Sequence, residues 1–98
     1  MIEIERLRLQ KAIRDLHGCD SVHIASIPVL ETFVSKTVWE GTVELFTLLD
    51  HLTAKEAYAW SYKNDAGQTR HVTVLSLPPV KTAIDAVRAY IAGQIQKQ

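Results

Sequence analysis

The sequence predicts an α+β fold of order αββββα, a four-stranded antiparallel meander whose N- and C-terminal helices pack on one face. Apolar residues recur at helical spacing near each end of the chain, which places the two helices. The middle alternates with a period of two and is rich in β-branched and aromatic residues, and turn formers divide it into hairpin-sized runs. The chain has 98 residues, 47% apolar and 22% charged, enough for one hydrophobic core, and it reads as a single domain over 1–98.

In the first helix Leu9, Ala12, Ile13 and Leu16 share a stripe, with Arg8, Lys11, Arg14 and Asp15 in other directions. Gly18 can take positive φ without a Cβ penalty and ends the helix at His17. Toward the start, Ile2 and Ile4 alternate with Glu3 and Glu5, and the helix is extended to Glu3. Period two begins at Ser21 and runs to Val34 as a first strand. Pro28 within it lacks a ladder hydrogen and predicts a sheet edge or a bulge. Ser35-Lys36 is the reversal, and Thr37 to Leu49 is the second strand, with Gly41 read as a bulge or bend. From Leu45 to Leu49 both strand faces are apolar, so something covers each of them.

Asp50 to Lys55 is a loop, and Glu56 to Lys63 a third strand that sorts Tyr58, Trp60 and Tyr62 to one face and Ala57, Ala59 and Ser61 to the other. Asn64 to Gln68 is rich in turn formers. A five-residue loop places Val72 and Val74 of the fourth strand, Thr69 to Leu77, beside the aromatic row, and a four-residue loop places His71 and Thr73 there; hydrophobic matching selects the first. Pro78-Pro79 ends that strand. The second helix starts near Val80 and carries Val80, Ala83, Ile84, Val87, Tyr90, Ile91 and Ile95 on one stripe.

The segments Thr37-Val-Trp-Glu-Gly41, Ala57-Tyr-Ala-Trp-Ser61, Leu77-Pro-Pro-Val80 and Ala86-Val-Arg-Ala89 resemble a pattern that recurs in small bacterial proteins of uncharacterised function. The resemblance spans roughly residues 12–92. It implies a compact α+β bacterial protein and carries over no activity, cofactor or site residue.

Composition narrows function by exclusion. Eleven basic residues balance eleven acidic ones, so no overall positive field draws the chain to nucleic acid or to an anionic membrane. No apolar run approaches the roughly 20 residues of a spanning helix. Cys19 is the only cysteine, and a chain start without a basic, apolar leader makes a cytoplasmic location the expectation. His17, Cys19 and His23 lie within seven residues but lack the four-ligand spacing of a structural zinc site, so no metal is expected. His17 is instead expected to meet the last helical carbonyls, and Cys19 to pack as a small apolar residue. No Gly-x-Ser-x-Gly elbow and no phosphate-binding glycine loop appears, and no cofactor is implied. Glu40 and Glu44 share a strand face about 13 Å apart, too far for a carboxylate dyad, and read as a solvated face. Asp50-His51 can meet Glu44 or His71 only through tertiary folding.

The aromatic row of Tyr58, Trp60 and Tyr62, with Arg70 beside Tyr62, admits three readings. It is core beneath the helices, or an open face for a partner or ligand, or a base-stacking platform, for which the nearby positive charge is thin. Helix, strands and helix is also the order of double-stranded RNA-binding domains, but the fourth strand and the missing basic cluster oppose that assignment. Two function classes follow. In the first, the protein is a binding module that forms a homodimer through a sheet face, an expectation resting on the doubly apolar segment, the aromatic row and the difficulty of covering two faces with two helices. In the second, a small ligand or substrate occupies a pocket lined by Trp39, Tyr58 and Trp60, with Glu40 or His71 as the polar group.

Overall fold

A computed structural model describes residues 3–96. Ile2 and the side chain of Ile95 lie outside the described residues. The elements follow the order α1 (Glu3–His17), β1 (Asp20–Phe33), β2 (Lys36–Leu49), β3 (Glu56–Lys63), β4 (Thr69–Leu75) and α2 (Ala83–Gln96). The four strands form one antiparallel sheet in the order β1-β2-β3-β4, the αββββα meander that the periodicities predict.

The helices do not share a face. Leu9 and Ile13 of α1 pack with Phe46, Leu48, Ala57 and Ala59, whereas Ala83, Ala86 and Val87 of α2 pack with Val43, Tyr58 and Trp60. Successive strand residues point to opposite sides, so these are the two faces of one sheet, each with its own core cluster. The expectation of both helices on one face is corrected accordingly. The methyl side chains of Ala57 and Ala59 admit α1 closely, and the aromatic row offers α2 a broad apolar floor. Most of the doubly apolar stretch is covered in the same way, with Phe46 and Leu48 turned to α1 and Leu45 to α2, while Leu49 stays exposed.

Gly18, at φ +72°, returns its N–H to the Arg14 carbonyl at 2.8 Å and stops α1 at His17. Lys63 pairs with Thr69, which makes Asn64 to Gln68 a five-residue loop, and Trp60 lies opposite Val72 and Tyr58 opposite Val74. The first hairpin turns at Val34 and Ser35, one residue earlier than expected, with both residues at positive φ, 52° and 63°. Two-residue turns of that hand match the twist of the flanking strands, but a β-branched residue fills the left-handed region at a cost.

The bulges fall at His23/Ala25 and Glu31/Thr32 rather than at Gly41. A Cβ on Gly41 would sit 3.0 Å from Cη2 of Trp39, so the glycine makes room for the indole. β4 stops at Leu75 instead of Leu77 because the chain turns there: Leu77 N–H bonds Leu75 C=O at 2.9 Å, and Val80 N–H bonds Leu77 C=O at 2.7 Å. α2 begins at Ala83, not Val80, behind a reciprocal cap. Thr82 N–H donates to Asp85 Oδ2 at 3.1 Å, and Asp85 N–H to Thr82 Oγ1 at 3.3 Å.

β1 and β2 are each 14 residues long, but the β2–β3 ladder covers only Glu44 to Thr47 on β2. The distal half of the first hairpin therefore projects past β3 as a two-stranded arm. Leu30, Phe33, Val34 and Val38 are exposed along it, and Arg88 of α2 braces it through an ion pair with Glu31. No helix among the described residues is long and apolar enough to cross a membrane.

Candidate functional site

The aromatic residues singled out in the sequence come together as core, and the polar ones do not join them. Tyr58 and Trp60 lie under α2 at 4% and 3% exposure, and Trp39 packs beside them with its ring 5.4 Å from that of Trp60 in an edge-on contact. Trp60 makes a second edge-on contact with Tyr90 at 5.5 Å, and Tyr90 meets Tyr62 at 6.3 Å. The Tyr58 hydroxyl donates to the Lys81 carbonyl at 3.1 Å, and burial holds its pKa above the usual tyrosine value. Burial does the same for Tyr90, helped by its bond to Tyr62. Tyr62 and its cross-strand neighbour Arg70 are exposed at the end of the row. Glu40 is exposed on the arm opposite Leu30, and His71 lies opposite Ser61, whose parity on β3 is that of the α1 face.

The polar cluster that does form was not among those residues. Glu44 was expected on a solvated face and is instead 6% exposed beneath α1, because its strand parity is that of Phe46 and Leu48. Its Oε1 accepts a hydrogen bond from His23 Nε2 at 2.9 Å and a second from Ser26 Oγ. His23 and Ser26 are three residues apart, and on a regular strand they would point to opposite sides. The bulge between His23 and Ala25 inserts one residue and brings both to Glu44. The His23 ring also stands edge-on to Phe46 at 5.3 Å, which fixes its plane. The period-two pattern of Thr42, Glu44, Phe46 and Leu48 gave the signal for Glu44; the bulge left none.

The remaining histidines act locally. His17 Nε2 lies 2.6 Å from Thr73 Oγ1, a bond from the end of α1 to β4 in place of the expected contact with the last helical carbonyls. Burial, and then the electrostatic influence of the neighbouring His51, hold its pKa below the usual histidine value. His51 Nδ1 accepts from the backbone N–H groups of Thr53 and Ala54 and shapes the β2–β3 loop. Cys19 is a free thiol buried in the α1 cluster, as a small apolar residue would be. Among the described residues no group of three His, Cys, Asp or Glu side chains could hold a metal.

The other feature with chemical consequence is backbone. The bonds from Asn64 N–H to Gln68 C=O and from Ser76 N–H to Glu56 C=O bracket the β3–β4 ladder, and both join even-numbered pairs in one register. Hydrogen-bonded pairs alternate in an antiparallel ladder, so Arg70, Val72 and Val74 bond inward to β3. His71, Thr73 and Leu75 turn their backbone N–H groups outward. Among the described residues nothing bonds the backbone of His71 or Thr73 on that side, and only the Leu75 carbonyl is engaged, by Leu77. A groove of about 470 Å³ follows this edge between His17 on one side and Tyr90 and Gly93 on the other. No family model, no curated protein and no solved structure matches the chain.

Proposed function

We propose that the protein is a small interaction module that self-associates, with the β4 edge as its docking surface and a second copy as its occupant. The observation that carries this reading is the contrast between the two edges of the sheet. β1 is protected as edge strands commonly are: Pro28 lacks an N–H, and two bulges break the register. β4 has seven residues with no proline, no bulge and one charged side chain, Arg70, and its outward backbone groups lie open in a groove.

An antiparallel pairing of two β4 strands about a two-fold axis at Thr73 matches the outward N–H and C=O of Thr73 with those of its mate, and those of His71 with those of Leu75, whose carbonyl also accepts from Leu77. Thr73 then meets its own symmetry mate, and His71 meets Leu75. Arg70 falls opposite Ser76, so no like charges face each other across the axis. On the α2 side, Ala89 and Gly93 line the groove and let the two C-terminal helices approach. The product is a continuous eight-stranded sheet that ends in protected β1 strands, so association closes at the dimer. Each face of the sheet already carries a helix, which leaves the edge rather than a face for this purpose.

Sedimentation equilibrium across a concentration series tests the reading. The wild-type mass is expected to rise from 11.0 kDa toward twice that value at high micromolar concentration. Thr73→Pro removes an outward N–H and the Oγ1 bond to His17 without touching the backbone bonds to β3, and is expected to stay monomeric with unchanged circular dichroism. Ala89→Arg, on an exposed helix position, should weaken the dimer without affecting the monomer. A wild-type chain that remains at 11.0 kDa, or a dimer indifferent to both substitutions, overturns the proposal.

A further inference from the structure

The β2–β3 ladder ends at Glu44 and Ala59, whereas β3 stays paired with β4 as far as Lys63. Beyond that point β2 and β3 separate under the first half of α1, and a cleft of about 190 Å³ opens between them, lined by Glu5, Leu9, Thr42, Glu44, Trp60 and Ser61. Since a water molecule in the liquid occupies about 30 Å³, this space suits a molecule of a few heavy atoms.

Its inner wall is an incompletely satisfied carboxylate. The Glu44 side chain is only 8% exposed, and both of its hydrogen bonds fall on Oε1. Among the described residues Oε2 has no partner, yet it is not sealed away, since the buried unpaired side-chain atoms found there are Ser21 Oγ and Trp60 Nε1. A carboxylate oxygen held this far from bulk water favours a donor strongly. Across the cleft Glu5 supplies a second carboxylate, with Ser61 Oγ 3.4 Å from its Oε1. Among the described residues no lysine or arginine lines the space.

We infer that this cleft binds a small primary ammonium ion, with Glu44 Oε2 and Glu5 as its acceptors and Leu9 against its alkyl part. The site is independent of the β4 edge. An ammonium group brings three N–H donors and one positive charge to a wall of acceptors. Calcium takes six to eight oxygen ligands, more than two carboxylates and two hydroxyls supply without several waters.

The test is a titration of ethylammonium chloride followed by amide chemical shifts, with tetramethylammonium chloride, which has no N–H, at matched ionic strength. Saturable shifts confined to the neighbourhood of Glu5, Leu9, Thr42 and Ser61, given by ethylammonium alone, are expected. Glu44→Gln should abolish them, and Glu5→Gln should weaken binding about tenfold or more through the loss of one charged acceptor. Glu5 is exposed, so its variant keeps the fold and decides the matter even if Glu44→Gln does not fold. Equal responses to both salts, no saturation, or unchanged binding in Glu5→Gln would show that the Glu44 cluster serves only to hold the bulge, and would overturn the inference.

Discussion

At the scale of single residues, two close contacts set quantities that can be measured. The Trp39 indole occupies the place where a Cβ on Gly41 would lie, with Cη2 at 3.0 Å. Gly41→Ala must displace a ring that packs edge-on to Trp60, and is expected to cost about 1–3 kcal/mol in urea unfolding, as overpacking does. Unchanged stability would mean that the indole moves freely. His17 sets a pH dependence. Its pKa is lowered in the folded protein by burial first and by His51 second, so the unfolded chain takes up the proton before the folded one does. Stability is then fully present above the ordinary histidine value near 6.5 and declines as pH falls below it. The melting temperature at pH 7.5 should exceed that at pH 5.5, and His17→Gln should reduce the difference. A difference left intact in that variant would place the linkage on another group.

At the scale of elements, the strained turn of the first hairpin gives a gain-of-stability prediction. Val34 and Ser35 both occupy the left-handed region, which costs an ordinary L-residue about 1–2 kcal/mol. Replacing them with Asn and Gly, the pair that such turns favour, should stabilise the protein by about that amount in thermal unfolding. A lower melting temperature would contradict the turn geometry. The strands, the five-residue loop and the Gly18 stop were legible because each depends on local pattern: alternation, turn chemistry and the register that sets Val72 beside Trp60. The α2 cap was legible in principle, since Thr82 and Asp85 stand at the spacing of a capping box. The bulges were not. An extra residue at Ile24 carries no glycine or turn signal and sits within a run that reads as continuous strand, yet it decides that His23 and Ser26 both reach Glu44.

At the scale of the whole molecule, the sequence expectation failed on which face each helix covers, and the reason is physical. Tyr58 and Trp60 offer a large apolar area, Ala57 and Ala59 offer close approach, and either is a sound floor for a helix; only the competition of two helices for one sheet assigns them. Once α1 takes the alanine face and α2 the aromatic face, the aromatic row becomes core and Glu44 becomes buried. Phe46→Ala and Trp60→Ala should each cost about 3–5 kcal/mol, because each removes a nearly inaccessible ring from one of the two clusters. A loss near zero for either would mean that its face is not packed. What this arrangement leaves unsatisfied is the β4 edge, and cross-linking tests that conclusion most directly. In the two-fold pairing the Cα atoms of Thr73 and its mate lie about 5.5 Å apart, within reach of a disulfide. Thr69 and its mate are separated by eight strand residues, about 27 Å. Cys19 is buried and stays out of the reaction. Under mild oxidation Thr73→Cys is predicted to give a covalent dimer while Thr69→Cys stays monomeric; equal cross-linking of the two, or none from Thr73→Cys, would contradict self-association through β4.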